Sequence, residues 1–346
     1  MNRGHLMKTS DFAIRPVVAR GFTLIEMLVG LTIGVIVLFA LVTLFTNNSR
    51  TRGEIDQASQ QIENGRYALD LLRDDLHLAG YYGDVVPQQG FTVATAQIPS
   101  ICATDVAGLQ IVSPPAALQW PVPDFGIAGG DSVPSCVSSA TGGQKAGTDI
   151  LVVRRTRTIP TTGGLTAGKV YVQASGCQNE LDQHKDFVVD VGANAATFVR
   201  QKRGCATAAD IYEFQTRIYY VSNETIPTLR LLTISGSSST NEPLVQGVED
   251  MRIEYGLDNL GSDGAPDAFR KCLSTSDPCA ATDWANMMAV RVYVLARNLA
   301  SGTGYTDTKT YPMGSGIVVG PFNDKYKRHA YTGAVRLMNP AGRRES

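Results

Sequence analysis

A long apolar run near the start of the chain, from Phe22 to Phe45, most constrains what this sequence can fold into. As a helix rising about 1.5 Å per residue it reaches roughly 36 Å, enough to cross a hydrocarbon core about 30 Å thick. Glu26 lies in the first turns of this run, and a carboxylate inside a membrane costs on the order of 3 kcal/mol. The run therefore predicts a membrane-spanning helix in which Glu26 has a functional role.

The residues around the apolar run predict its orientation. Arg3, Lys8, Arg15 and Arg20 precede it, and basic residues favour the cytoplasmic side of a membrane. The run is too long for the apolar core of an ordinary secretory signal, and no small-x-small cleavage site follows it. We therefore expect a cytoplasmic N-terminus and export of everything after Phe45.

A second helical pattern follows the apolar run. Apolar and small residues recur at a spacing of seven, with a second set three residues after the first: Ile55, Ile62, Leu69 and Leu76, then Ala58, Gly65, Leu72 and Ala79. One helix is predicted over about 22–80, with a membrane-spanning part over 22–45 and an amphipathic part over 54–79. Gly80 is expected to end it.

The rest of the chain, residues 81–346, reads as a β-rich head. Residues 83–148 are rich in Pro, Gly, Ser and Ala and predict loops with short strands. Clear strands are predicted over 149–157, 169–174, 186–191, 211–221, 228–234, 248–257, 288–297 and 328–337. A hairpin turn is expected over 223–228 and a flexible Ser-rich loop over 236–241. The fold class is α+β: a long N-terminal helix whose second half covers one face of an antiparallel sheet.

Two strands, 248–257 and 288–297, alternate clearly: in the second, Val290, Val292 and Val294 lie opposite Arg291 and Tyr293. In the first, Met251, Ile253 and Tyr255 share one face, which leaves Arg252 and Glu254 on the other. Such alternation is typical of a sheet that buries one face and exposes the other to water.

Six cysteines follow the apolar run, and an even count in an exported domain indicates disulfides. Fifteen pairings are compatible with the sequence, and buried free thiols are the alternative. Our choice is sequential pairing: Cys102 with Cys136, Cys177 with Cys205, and Cys272 with Cys279. A zinc site is less favoured because no two cysteines have C-x2–4-C spacing.

An acidic turn is the one candidate for a metal. Asp258, Asp263 and Asp267 occur there with Asn259 and two glycines, Gly261 and Gly264, and oxygen ligands on a flexible loop suit Ca²⁺. The spacing of an EF-hand is absent, so a polar hairpin turn is the favoured interpretation and no other cofactor is expected.

Catalysis and nucleic-acid binding have little support in the sequence. The four histidines, His5, His77, His184 and His329, are scattered, and neither HExxH nor GxSxG occurs. The formal net charge is −1, which does not favour a nucleic-acid binder. Basic residues do cluster near the C-terminus, and a solvated strand face and tail is the expected explanation: Lys325, Lys327, Arg328, Arg336, Arg343 and Arg344. We expect a structural protein and no enzyme.

The segment Gly-Phe-Thr-Leu-Ile-Glu at residues 21–26, directly before a long apolar run, resembles the cleavage and methylation motif of type IV prepilins. Further segments resemble the PilW-type minor pilins: 63–69, 72–76, 79–83, 247–256, 290–292 and 331–339. The resemblance implies cleavage between Gly21 and Phe22 and N-methylation of Phe22. Residues 1–21 would then be a leader, 22–80 the N-terminal helix and 81–346 the head.

The cleavage implied by this resemblance gives Glu26 a partner. A new amine at Phe22 lies one helical turn from Glu26, and the amine of a neighbouring subunit could neutralise a carboxylate among packed apolar helices. The alternative is that Glu26 reaches the lipid headgroups from the helix start. Gly30 and Gly34 form GxxxG, which predicts close helix packing, or else are tolerated glycines.

Together, the resemblance implies an assembly subunit of a type IV pilus. It would start in a bacterial inner membrane with a periplasmic head, enter an extracellular pilus, and support adhesion and twitching motility. Its expected partners are other minor pilins, the major pilin, prepilin peptidase, the inner-membrane assembly platform and a tip adhesin. The alternatives are a minor pseudopilin of a type II secretion system and a DNA- or ligand-binding pilus subunit.

Overall fold

The computed structural model describes residues 21–84, 92–93, 100–109, 119–120, 124–127, 132–260, 263–272, 279–280, 283–284, 286–302 and 304–344. The expected leader other than Gly21, much of the expected loop region 83–148, and Gly261 lie outside these residues. The chain forms two compact units, Met1–Ile55 and Asp56–Ser346.

Helix α1, Leu24–His77, is the longest element. Its apolar part lies in the first unit, where every described residue up to Arg52 is exposed. Of the helices in the described ranges, α1 alone is long and apolar enough to cross a membrane, judged by length and composition. Beyond His77 the chain turns, and Gly80 has φ 71°, a conformation that glycine adopts at little cost.

The other elements follow α1 and are mostly strands. In chain order they are β1 (Thr92–Val93), β2 (Gln119–Trp120), β3 (Asp124–Ile127), α2 (Ser135–Ser138), β4 (Ile150–Thr156), β5 (Val170–Ala174), α3 (Gln178–Leu181), β6 (Phe187–Val191), a 3-10 helix (Gly192–Thr197), β7 (Ile211–Val221), β8 (Thr228–Ser235), β9 (Ser238–Gln246), β10 (Val248–Leu257), β11 (Ala268–Arg270), β12 (Met287–Arg297), β13 (Tyr311–Pro312), β14 (Val318–Val319), β15 (Arg328–Arg336) and α4 (Met338–Arg344).

Two antiparallel sheets dominate the second unit. The larger has seven strands: five in the order β3-β4-β7-β5-β6, with β8 also paired to β7 and β9 paired to β8. The smaller has four, in the order β11-β10-β12-β15, while β13 and β14 form a separate pair. Among the described strands only the short β1 and β2 pair in parallel. The predicted α+β class, a long apolar helix with an antiparallel β-rich head, is confirmed.

The periodicity of the sequence located the long strands well. β7 and β10 have the predicted bounds, and β12 begins one residue earlier than expected. The predicted hairpin turn joins β7 to β8, with Val221 opposite Leu229. Regular alternation thus carried enough information to place strands whose apolar face enters a core.

The expected Ser-rich loop over 236–241 is wrong. Only Gly236 and Ser237 form the turn, and β9 then pairs with β8 from Ser238 onward. Gly236 has φ 58°, which suits a tight hairpin turn. Most side chains of β9 are exposed because β9 is an edge strand. The polar composition therefore marks an edge position and not a loop.

The predicted seam of α1 is correct at Gly65, Leu72, Leu76 and Ala79, which are buried, and wrong at its N-terminal positions. The buried residues of the helix are Gln61, Gly65, Ala68, Leu72, Asp75 and Leu76. Ile55 and Ile62, which belonged to the predicted seam, are 59% and 44% exposed. The buried stripe has ordinary helical spacing and includes two polar residues, whereas the prediction counted apolar residues only.

Both faces of β10 are buried. Met251, Ile253 and Tyr255 belong to the main hydrophobic core, as their alternation predicts. Arg252 and Glu254 are only 9% and 6% exposed, so the expected wet face is wrong. Polar partners cover that face, which buries these side chains without leaving their charges unpaired.

Candidate functional site

The start of α1 is held by two residues that hydrogen-bond to each other. The backbone N–H and the hydroxyl of Thr23 both donate to Oε2 of Glu26, each at 2.9 Å. In return, the backbone N–H of Glu26 donates to Oγ1 of Thr23 at 3.3 Å. This reciprocal arrangement is a capping box, which satisfies backbone donors that have no partner within the helix. The sequence Thr-x-x-Glu is typical of a capping box, and the sequence analysis missed it.

Capping uses one oxygen of the Glu26 carboxylate. Within the described part of the chain, Oε1 of Glu26 accepts no hydrogen bond. Phe22, the residue before Thr23, is 91% exposed. The carboxylate therefore retains capacity to accept from a cation, and the new amine that cleavage after Gly21 would create is such a group.

Gly30 and Gly34 lie on the same exposed helix. A Cβ added at either position would meet no other heavy atom within 4 Å. Neither glycine is therefore required for packing within this chain, and their role in contact with another helix stays a prediction.

Three disulfides join residues of the second unit in sequential order. They link Cys102 to Cys136, Cys177 to Cys205, and Cys272 to Cys279. Their Cα–Cα distances are 5.6, 4.8 and 4.9 Å, which lie within the usual range. Disulfides persist in oxidising compartments, so these bonds are consistent with a unit exposed outside the cytoplasm.

The acidic turn uses its carboxylates internally. Asp258 Oδ2 accepts from the backbone N–H of Gly264 at 2.9 Å, and Asp267 Oδ2 accepts from the backbone N–H groups of Asn259 and Leu260. Asp263 accepts from Ala265. No group of three or more His, Cys, Asp or Glu suited to a metal occurs among the residues that the structure describes. The geometry is that of a turn stabilised by Asp side chains.

Asp75 on α1 is a buried anchor that the sequence analysis missed. Its carboxylate accepts from Arg155 Nε at 2.6 Å, from Arg217 Nε at 2.7 Å and from the Tyr219 hydroxyl at 2.7 Å. Burial and the Asp75 charge both raise the pKa of Tyr219, which keeps its hydroxyl a donor. The three partners lie on β4 and β7, so this contact fixes the helix to the larger sheet. The partners are 80 to 144 residues away in sequence, and no local pattern identifies them.

The basic residues near the C-terminus do not form one solvated face. The Arg328 side chain is fully buried and pairs with Glu249, with Asp307 at 2.9 Å and with Asp324 at 2.6 Å. Burial alone would lower the pKa of Arg328, but its hydrogen bonds to Asp324 and Glu249 raise it overall. The side chains of Arg343 and Arg344 lie outside the described part of the chain. The expectation of a solvated strand face is therefore wrong at Arg328, whose charge is neutralised internally.

The aromatic residues of β7 are core residues. Tyr212, Phe214, Tyr219 and Tyr220 are all buried, with at most 5% exposure. They are not available to stack on the bases of a single-stranded nucleic acid.

Comparison with known proteins yields two family matches. The family described as Type IV Pilus-assembly protein W matches residues 218–339, and the prokaryotic N-terminal methylation motif matches residues 18–42. The second match contains Gly21, Phe22 and Glu26, and the first runs from β7 to the start of α4. No curated protein matches the sequence. Among solved structures, the Type IV-like pilin TTHA1219 from Thermus thermophilus is similar at 14% identity, with a TM-score of 0.25. The similarity covers 56% of this chain and 78% of that chain.

Proposed function

Because the chain is a PilW-type minor pilin with a prepilin-type N-methylation motif, we propose that it primes assembly of a type IV pilus and stays at or near the pilus tip. The family matches indicate a membrane-anchored structural subunit that interacts with other pilus components. The observation that carries the proposal is the methylation motif at the start of an exposed apolar helix, combined with the PilW match in the β-rich head.

Processing would convert the membrane anchor into an assembly element. Prepilin peptidase would cleave between Gly21 and Phe22, and methylation of the new amine would leave it able to carry a positive charge. Among packed apolar helices, an unpaired Glu26 is costly, so an amine on the adjacent subunit would stabilise one axial register. Glu26 would thus select where the next subunit docks.

The size of the second unit supports a priming or tip position. It spans Asp56–Ser346 and contains two sheets, and a unit this large is sterically awkward to repeat along a dense filament. The chain would join other minor pilins on the inner-membrane assembly platform, precede the major pilin, and present an adhesin. Adhesion and twitching motility would depend on it through pilus number.

The register role of Glu26 can be separated from its capping role. Glu26→Ala removes both, whereas Thr23→Val removes the capping hydroxyl and keeps the carboxylate. We expect both variants to enter the membrane, and expect Glu26→Ala alone to lose incorporation into pili. Membrane fractions and sheared pili, probed by immunoblot, give the two readouts. Thr23→Val removes the two hydrogen bonds of the Thr23 hydroxyl, so equal loss in both variants would mean that the intact capping box, and not charge pairing by Glu26, is what incorporation requires.

Two further observations test the priming and tip roles. Mass spectrometry of the mature chain should find N-methylated Phe22 as the first residue. Deletion of the chain should reduce surface pili, and immunogold labelling should mark pilus ends. Labelling along the shaft would contradict a tip position, and lost protein secretion with normal pili would favour a type II pseudopilin.

A further inference from the structure

A cavity of about 400 Å³ opens in the second unit beside α1. One wall is the helix, which contributes Ala58 and Ile62. The other wall comes from β15 and the segment before it, including Tyr305 and Tyr331. We call this space the basic pocket. Its volume is in the range of sites that bury a few side chains or a small ligand.

Positive charge is concentrated around the basic pocket. Arg66, Lys309 and Lys327 line it, and the Lys327 ammonium lies 5.7 Å from the Tyr305 ring. Arg328 also lines the pocket, but three carboxylates neutralise it. Arg66 and Lys309 form no ion pair with any residue that the structure describes, and both are exposed. Their charges are available to an anionic partner.

A buried hydroxyl in the wall adds a second polar requirement. Tyr331 packs against His329, with ring centroids 4.7 Å apart, and against Gly65 of α1. Its hydroxyl is inaccessible to water and has no hydrogen-bond partner within the described residues. Burial raises the pKa of Tyr331, so the hydroxyl remains a neutral donor. A buried donor without a partner destabilises the fold. If the Tyr331 ring moves slightly, an acceptor that enters the pocket can accept a hydrogen bond from this hydroxyl and remove that cost.

The apolar side of the pocket restricts the kind of occupant. Ile62 is 44% exposed although it lies in a helix that packs on a sheet, and Ala58 lies one turn before it. A bare phosphate or a lipid headgroup would satisfy the cations and leave this apolar surface wet. A protein segment that carries carboxylates beside aliphatic side chains would cover both.

We propose that the basic pocket is a docking site for an acidic, aliphatic segment of another pilus subunit. Carboxylates of the partner pair with Arg66 and Lys309, and its aliphatic groups pack on Ile62. That the partner is a pilus subunit rests on the proposed function. That the partner segment is acidic and aliphatic follows from the residues that line the pocket. The site lies on the amphipathic half of α1, so docking there joins one subunit to the helix and β15 of this chain together.

Photo-crosslinking in pilus-producing cells identifies the occupant. A photoreactive phenylalanine replaces Ile62, and the matched control places it at Tyr67, which is 53% exposed on the same helix and does not line the pocket. We expect Ile62, and not Tyr67, to give an adduct with a different pilus subunit, mapped by mass spectrometry to a segment with at least two Asp or Glu residues. An adduct with lipid, with a second copy of this chain, or no adduct at all would overturn the proposal.

Charge reversal tests the recognition chemistry. Arg66→Glu with Lys309→Glu should reduce the Ile62 adduct at least about tenfold, because like charges across an interface repel. Lys185→Glu with Arg203→Glu makes the same change in net charge at exposed positions outside the pocket and should leave the adduct within about twofold. Reversing the mapped acidic residues of the partner to Lys should restore the adduct. Equal adducts from both double variants would refute charge recognition.

The two proposals fail in distinguishable ways. If Arg66→Glu with Lys309→Glu leaves the adduct and pilus number unchanged while deletion of the chain removes pili, the pocket assignment is wrong and the pilus function stands. If deletion itself leaves pili unchanged, the proposed function is wrong. In that case an Ile62 adduct with an acidic segment would still establish the pocket as a protein-binding site.

Discussion

Replacing Asp75 with Ala should release α1 from the larger sheet. Asp75 is only 5% exposed, and its two oxygens accept from Arg155, Arg217 and the Tyr219 hydroxyl at 2.6 to 2.7 Å. Asp75→Ala removes the shared anion and leaves two guanidinium groups facing each other with no carboxylate between them. The perturbation therefore adds an unpaired-charge penalty to the loss of three hydrogen bonds.

The expected loss of stability is about 3 kcal/mol. Removing one partner of a buried ion pair costs about 3–5 kcal/mol, because the remaining charge is uncompensated. The side chains of Arg155 and Arg217 are 12% and 21% exposed, so water can reach them in part and the lower end applies. Ala is a better helix former than Asp by roughly half a kcal/mol, which offsets a little of the loss.

Asp74 provides a matched control because it is the adjacent residue, has the same side chain and is exposed. Asp74→Ala gains the same helix propensity and loses no buried contact, so its stability should change by less than about 0.5 kcal/mol. Urea unfolding of the full chain in detergent, with disulfides intact, measures both variants. If Asp75→Ala unfolds within about 1 kcal/mol of Asp74→Ala, the buried network does not anchor the helix.

Two further predictions concern a close contact and pH. Gly65→Ala places a methyl group against the Tyr331 ring. Crowding of about 1–3 kcal/mol should outweigh the gain in helix propensity of about 1 kcal/mol, so the thermal midpoint should fall. In the control Gly53→Ala the added methyl group meets nothing within 4 Å, and the midpoint should not fall. Burial alone would raise the pKa of Glu254, but hydrogen bonds, with those from Ser315 the largest contribution, lower it overall. The stabilisation from Glu254 is therefore complete above about pH 4.5, the ordinary Glu value, and is lost as the pH falls through the lower folded value. Denaturant midpoints between about pH 3 and pH 6 should fall less steeply for Glu254→Gln; parallel curves would contradict this assignment.

The sequence predicted those elements whose information is local. Alternation along β10 placed Met251, Ile253 and Tyr255 in the core, because a strand's side chains point to opposite faces with a period of two. The prepilin motif likewise occupies six consecutive residues and needs no tertiary context. Local patterns of this kind can be read without knowing what packs against them.

Features that depend on distant partners could not be read in the same way. Gln61 is buried because its amide donates to the carbonyl groups of Ala296 and Lys327, which lie 235 and 266 residues later. A seam chosen by apolar spacing therefore rotated away from Gln61 and toward Ile62, which the fold leaves exposed. The error is informative. Regular apolar spacing assigns Ile62 to the core, but in the fold Ile62 lies at the surface and lines the basic pocket.

The capping box also limits how Glu26 can act in assembly. Thr23 donates to Glu26 from its backbone N–H, and Phe22 is the residue directly before it, so the amine created by cleavage would arise close to its own Glu26 as well as to that of a neighbour. Pairing within one chain would give no register information. Intersubunit pairing gains an advantage only if helix packing in the fibre brings a neighbour's amine to the Oε1 atom while Thr23 keeps Oε2. Under the proposed function, the two carboxylate oxygens therefore have separate partners, one within the helix and one on the next subunit.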